Sequence, residues 1–325
     1  MTTDITTQKR RLGRTDIEIT PIGLGVMQFS VGGRGFMGKV FPTLSQEQKN
    51  AIVKTALEGG INWFDTAELY GFGHSERSLS NALKAVGVGS DDVIVATKWF
   101  PIFRTAKNIG RSIHDRIRFL NGYTIDNYMV HQSEGFSSPE VEMDAMADLV
   151  EAGLIRSVGV SNFNAEQMQR AQVALEKRGL PLAVNQMHYS LLHRNIESNG
   201  VLKAAKELGV TIIAYSPLAM GMLSGKYHKN PDLISQTRIS QRVRLGRSLE
   251  RSKTLVHALE EIAVRYDATP AQVALNWLIN FNGDVVVAIP GATKVHQAEE
   301  SAGAMKFELS EAEMNHIDKL SREFR

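Results

Sequence analysis

Short apolar runs alternate with longer amphipathic stretches along almost the whole chain. The runs are Ile22–Met27, Ile61–Phe64, Val93–Thr97, Ile125–Val130, Ile155–Val160, Leu182–Val184, Thr211–Ala214 and Val285–Ile289. Each is apolar at most positions, which predicts strands buried on both faces, as in a parallel sheet covered by helices. The stretches between them predict helices over Ser45–Glu58, Ser75–Val86, Thr105–Leu120, Ser138–Glu151, Ala165–Lys177 and Ile196–Leu208. An insertion then runs to about Gly246, and helices over Leu249–Tyr266 and Pro270–Phe281 precede the last strand. Gln297–Ala304 and Glu311–Leu320 close the chain. Ser45 with Gln48 three positions on reads as a capping box, and Gly59-Gly60, Gly153, Gly179 and Gly209 stand where helices stop.

Eight such strand–helix units are the length of a closed (β/α)8 TIM barrel, an α/β fold. Short strands, Ile17–Ile19 and Ile22–Met27, flank Pro21; an N-terminal strand hairpin is expected beside the barrel, and the last two helices are extra to it. The alternative is an open doubly wound sheet, which needs a phosphate-binding fingerprint after its first strand. The loop Gly32–Pro42 offers Gly33, Gly35 and Gly38 in GxGxxG spacing, with Glu58 downstream. It also nearly spells a P-loop, through Gly33, Gly38 and Lys39, but Val40 stands where a magnesium-binding hydroxyl is required. No helix opens at Lys39-Val-Phe-Pro42, and Glu58 ends a helix instead of following a second strand. The stretch therefore reads as a plain loop. No linker or composition shift divides residues 1–325, which read as one barrel domain with a polar tail over residues 1–10.

Composition narrows the chemistry. Hydrophobic residues make up 43% and charged residues 22%, enough for a full core. A formal net charge of +2 gives no footing for nucleic acid or an anionic membrane. The absence of cysteine removes disulfides, thiolate metal sites and thiol nucleophiles, and fits a cytoplasmic setting. No apolar run is long enough to span a bilayer, and the N-terminal residues lack the apolar centre of a secretory signal.

The polar residues at the strand ends carry the candidate chemistry. Asp65 follows the second strand, Lys98 the third and His131 the fourth; Tyr70 lies in the loop after Asp65. Ser161-Asn162, Gln186 and Tyr215-Ser216 follow the fifth to seventh. Barrel closure gathers these at one mouth. A phenol near an ammonium is drawn toward its ionised form, the ammonium needs a counter-charge that Asp65 can supply, and a neutral imidazole can donate to a substrate oxygen. Such a set protonates and polarises a carbonyl. It lacks a nucleophile with an adjacent base and a pair of convergent carboxylates, which argues against acyl transfer and glycoside hydrolysis. No metal-ligand set is evident.

FDTAELYG, ATK, VGVSNF (Val158–Phe163), NQMHYSLLHR (Asn185–Arg194), AYSPLAMGMLSGKY (Ala214–Tyr227) and IPGATK (Ile289–Lys294) together resemble the aldo-keto reductases. The resemblance runs in order from about Arg11 to Ala304 and is nearest to the branch holding the potassium-channel β-subunits and bacterial relatives. It implies an NADPH-dependent reductase of aldehydes or ketones that uses NADP(H), with NAD(H) admitted, and no Rossmann fold. Tyr70 would be the proton donor, Asp65 and Lys98 its tuning pair, and His131 the carbonyl-orienting residue. Ser161, Asn162 and Gln186 would hold the nicotinamide carboxamide, and Tyr215 would stack on its ring. Ser216, Leu218, Gly221 and Lys226 would surround the pyrophosphate, and Gly291, Thr293, Gln297 and Glu300 the adenosine end, with Arg238 contributing from the insertion. The sequence departs from the family pattern at Gln132-Ser133-Glu134, at Gln297 where Arg is common, and at Ser301 where Asn is usual. The expected partner is a small carbonyl compound, with self-association left open. A regulatory subunit with slow catalysis, or a barrel isomerase acting on sugar phosphates, are the competing readings.

Overall fold

The computed structural model describes residues 8–30, 42–235 and 239–325. The loop at Gly32–Pro42, except Pro42 itself, and Arg238 lie outside the described residues. Eight parallel strands stand side by side: β3 (Leu24–Gly25), β4 (Trp63–Asp65), β5 (Ile94–Trp99), β6 (Asn127–Val130), β7 (Ser157–Ser161), β8 (Leu182–His188), β9 (Thr211–Tyr215) and β10 (Val286–Ala288). The first and last meet across a seam. The N–H of Gly23 donates to Ala288 O (2.9 Å), that of Gly25 to Pro290 O (3.0 Å) and that of Ala288 to Pro21 O (2.9 Å), with parallel bridges Ile22–Ala288 and Gly25–Gly291. The sheet is thereby closed into the expected barrel.

Alternation along the strands sorts side chains into layers. Trp63, Ala96, Met129, Val184, Ile213 and Val287 form one apolar layer inside the barrel. Asp65, Lys98, His131, Gln186 and Tyr215 lie two residues further along their chains, on the same inward face and one layer nearer the carboxyl ends. The alternate residues of the strands, among them Phe64, Val95, Tyr128, Val130, Ile212 and Ala214, join the outer core under the helices. Gly159 keeps the interior open: a Cβ there would collide with Val184 and press on Met129.

An antiparallel hairpin closes the bottom, with Leu12, Ile17 and Ile19 packed on the apolar layer. It pairs β1 (Arg10–Arg11) with β2 (Glu18–Ile19), so Arg10, assigned to the polar tail by sequence, is a strand residue. Ile22–Met27, counted as the first barrel strand, enters the barrel as expected through β3. Arg10 is held there because its guanidinium donates to Ile279 O (2.5 Å), Val286 O (2.8 Å) and Asn280 Oδ1 (3.0 Å), and pairs with Asp284 at 3.1 Å.

Helices fill the outside. α1 (Gln46–Glu58) carries the Ser45–Gln48 capping box, α2 (His74–Ala85) and α3 (Ile109–Leu120) follow, then α4 (Pro139–Glu151) and α5 (Ala165–Glu176), which starts at an Asn164–Gln167 box. The helix expected over Ile196–Leu208 is a 3-10 turn, Asn195–Glu197, and a short α6 (Val201–Leu208). Gly200, at φ 88°, breaks it. After α7 (Lys226–Lys229) and α8 (Asp232–Ser235), α9 spans Ile239–Arg265, beginning well before the expected Leu249. Gly246 does not stop it, since one glycine inside a long helix costs only about 1 kcal/mol. α10 (Pro270–Asn280), α11 (Val295–Gly303) and α12 (Glu311–Ser321) complete the chain. No helix among the described residues is long and apolar enough to cross a membrane.

Candidate active site

The inward polar layer at the barrel mouth centres on a buried ion pair. Lys98 Nζ donates to Asp65 Oδ1 at 2.6 Å and to Thr66 O at 2.7 Å. Gln186 Nε2 donates to the other carboxylate oxygen at 3.0 Å. Burial raises the Asp65 carboxyl and lowers the Lys98 ammonium, and each opposes the other's shift by its charge. Tyr70 comes over this pair from the β4–α2 loop, with Lys98 Nζ 5.1 Å from its ring centroid. Its ring meets His131 edge to face, centroids 5.7 Å apart at 82°. Phe100 stands 6.2 Å from the same imidazole.

Two electrostatic consequences follow. Burial, reinforced by the Lys98 charge, pushes the His131 imidazole down to about 3, so it is neutral at physiological pH. Its Nδ1 is buried without a hydrogen-bond partner. The phenol of Tyr70 moves the opposite way to the sequence expectation: burial, then the Asp65 charge, hold it above its ordinary value. The proton stays on Tyr70 at neutral pH.

A cavity of about 340 Å³ opens beside these groups. Asp65, Tyr70, His131, Ser161, Asn162, Gln186, Tyr215, Ser216 and Gly291 all line it. Its far wall is a wired array: Ser161 Oγ donates to Gln186 O (3.0 Å), Asn162 Nδ2 to Ser161 Oγ (3.0 Å) and Tyr215 OH to Asn162 Oδ1 (3.0 Å). Asn162 and Ser216 hold left-handed backbones, φ 61° and 53°, a strain that non-glycine residues bear mainly where a site requires it. Behind Tyr215, His188 stacks at 5.2 Å and 9°, and His193 stacks on His188 at 3.8 Å. One face of Tyr215 is thus covered while the residue borders the cavity.

Leu218, Gly221 and Lys226 are not cavity-lining. They lie around the 3-10 turn Ala219–Ser224, where Gly221 adopts φ 85° and the Lys226 head group closes against it. Thr293 precedes α11 and Gln297 and Glu300 lie within it; Gln297 Oε1 accepts from the N–H groups of Thr293 (2.8 Å) and Lys294 (3.2 Å). Lys98, fully buried 5.1 Å from the Tyr70 ring centroid, does not line the cavity.

A model of the aldo/keto reductase family matches residues 21–322. The chain belongs to the aldo/keto reductase family. It is 37% identical over 310 residues to an uncharacterised oxidoreductase of Mycobacterium tuberculosis, covering 95% of this chain and 91% of that protein. Among solved structures, a thermostable aldo-keto reductase, Tm1743, bound to the inhibitor epalrestat aligns at a TM-score of 0.77 and 31% identity, over 96% of this chain and 99% of that one. An aldo-keto reductase from Klebsiella pneumoniae in complex with NADPH aligns at 0.72 and 25%, over 96% and 95%.

Sequence reasoning passed over some residues that line this aldo/keto reductase's cavity. Met27 and Gln28 face it from the 3-10 turn directly after β3, and Leu69, Pro217 and Ile289 complete its wall. The signal was available for Met27 and Gln28, which follow the end of the first strand as Asp65 follows the second. Gln28 packs against Gly291, where a Cβ would displace its amide, and its Oε1 is buried without a partner.

Proposed function

We propose that this aldo/keto reductase reduces an aldehyde or ketone to an alcohol with NADPH, Tyr70 delivering the proton. The observation that carries this reading is the meeting of a protonated phenol and a neutral imidazole over one buried ion pair, at the mouth of one cavity. The cavity suits a nicotinamide ring on its other side. Tyr215 offers an aromatic face, backed by His188, and the amides of Asn162 and Gln186 offer donors and acceptors to a carboxamide. The orphaned Nδ1 of His131 and Oε1 of Gln28 are polar atoms awaiting a ligand. Bound there, the reduced dinucleotide supplies the hydride.

The chain's own groups do the rest. His131, neutral, donates a hydrogen bond to the carbonyl oxygen and orients it. As the carbonyl carbon gains the hydride, its oxygen gains negative charge and takes the proton of Tyr70. The Lys98 ammonium, 5.1 Å from the Tyr70 ring, stabilises the phenolate that remains. Asp65 keeps Lys98 charged in a buried place, and Gln186 keeps Asp65 oriented. Solvent then returns a proton to Tyr70.

Preference for the 2′-phosphorylated dinucleotide rests on Lys294, exposed at the N-terminus of α11, where a helix end favours phosphate. The NADPH complex of the Klebsiella pneumoniae neighbour supports it. Leu218, Gly221 and Lys226 are the proposed contacts of the pyrophosphate, and Thr293, Gln297 and Glu300 those of the adenosine end.

Absorbance assays of NADPH oxidation against a panel of aldehydes test the reading. Sustained turnover with at least one of them is expected. A single slow oxidation per site would support a regulatory subunit instead, and the absence of any NADPH binding would sink both.

A further inference from the structure

Glu68 stands two residues before Tyr70, and the mechanism above gives it nothing to do. It is almost buried, at 9% exposure. A carboxylate in such a place is destabilising unless it is well paired. Its partners lie on two other segments. Its backbone N–H donates to Lys98 O (3.1 Å), and its Oε2 accepts from the N–H of Phe100 (3.1 Å). The Tyr70 turn is thus stitched to β5 on both sides of Trp99. Oε1 accepts from Arg104 Nη1 at 2.7 Å, with Arg116 Nη1 at 3.8 Å. Arg104 O in turn accepts from the N–H of Phe136, which brings in the loop after His131 and Gln132.

The turn itself is light. Tyr70 N–H donates to Ala67 O (3.1 Å) and Tyr70 O accepts from Ser75 N–H (3.1 Å), both within the β4–α2 segment. These bonds shape the turn but do not set its distance from β5. Upstream, Thr66 is tied to β5, its N–H donating to Ala96 O (2.9 Å) and its O accepting from Lys98 Nζ (2.7 Å); nearer Tyr70 it is Glu68 that holds the distance, and its carboxylate bonds to the loop that carries Phe100, the ring beside His131.

We propose that Glu68 is a positioning residue that holds Tyr70 in register with Lys98 and ties it to the loops after β5 and β6 on the substrate side of the mouth. This rests on Tyr70 being the proton donor. The geometry that proton transfer needs is narrow, and a displacement of about 1 Å costs up to roughly a hundredfold in rate.

The test uses full-length Glu68→Ala, Glu68→Gln and Tyr70→Phe, with NADPH and 4-nitrobenzaldehyde as probes. Glu68→Ala should lower kcat by about tenfold or more, with NADPH affinity by fluorescence kept within about twofold. Glu68→Gln keeps an oxygen for the Phe100 N–H and should lose only about threefold in kcat. A purely structural role would move stability and affinity together and show no such rescue. Overturning results are a Glu68→Ala kcat within about twofold of wild type, or an equal loss of kcat and NADPH affinity in both variants. Should the alanine variant not fold, Glu68→Gln alone decides: a loss of about threefold at unchanged affinity supports the role, and an unchanged kcat overturns it. Turnover retained in Tyr70→Phe refutes the donor and Glu68's role with it. Turnover lost there but intact in the Glu68 variants refutes Glu68 alone.

Discussion

The Asp65–Lys98 pair should behave as one electrostatic unit, and Asp65→Asn tests it. Both side chains are buried, at 2% and 0% exposure, with 2.6 Å between them. Asparagine keeps the shape and a hydrogen-bonding oxygen but leaves Lys98 without a counter-charge. Breaking one side of a buried pair costs about 3–5 kcal/mol. With an unfolding entropy of about 2.1 cal/mol/K per residue over 325 residues, 4 kcal/mol lowers Tm by about 6 °C. The sign with pH follows from Lys98, whose ionisation burial already lowers. In the variant nothing at Asp65 opposes that shift, so the unfolded chain binds more protons than the folded one below the ordinary lysine range. Stability of Asp65→Asn relative to wild type should therefore rise with pH as the folded amine gives up its proton. Lys98→Met should be destabilised too, and the double variant should recover about 2–4 kcal/mol relative to the sum of the singles. Denaturant titrations of all four proteins from neutral to alkaline pH measure this. Additive single effects, or a penalty for Asp65→Asn that does not change with pH, would refute the reasoning.

Other outcomes follow from individual groups. Glu142 is buried in the first turn of α4 with Oε1 unpartnered, and burial pushes its carboxyl up to about 8. The folded chain keeps a proton there that the unfolded chain has released, so stability falls as pH rises from the ordinary carboxylate range through about 8. Glu142→Gln should be neutral in acid and gain about 5 kcal/mol over wild type by pH 9, read from denaturant midpoints. Because the Tyr70 phenol is held above its ordinary range, alcohol oxidation, which needs the phenolate as base, should rise about tenfold per pH unit above neutrality, while carbonyl reduction stays level. Oxidation that is level across the same range in steady-state assays would contradict this. Tyr215→Ala should weaken NADPH binding about tenfold by fluorescence titration; Tyr215→Phe, which keeps the stack and loses only the bond to Asn162, should weaken it about threefold.

What could be read in the sequence was local and periodic. Strand alternation puts Asp65, Lys98 and Gln186 two positions beyond Trp63, Ala96 and Val184, so the inner polar layer is written next to the inner apolar one. The capping boxes at Ser45 and Asn164 are equally local. What could not be read depends on distant partners. Arg10 is a strand residue because of carbonyls nearly the whole chain away, at Ile279 and Val286. Gly246 lies within a helix although glycine usually marks an end. The direction of the Tyr70 shift comes from its burial first and the Asp65 charge second, and spacing alone supplies neither. Glu68 gives no local sign of its role because its partners, Phe100 and Arg104, come from other segments.

The proton role of Tyr70 is tested most directly by single-turnover stopped-flow on Tyr70→Phe, mixing the NADPH-loaded protein with an aldehyde that wild type reduces. The expected result is hydride transfer slowed by about 10²–10⁴-fold, with NADPH affinity within about twofold of wild type. Transfer at a near-normal rate, or loss of NADPH binding in place of chemistry, would contradict it.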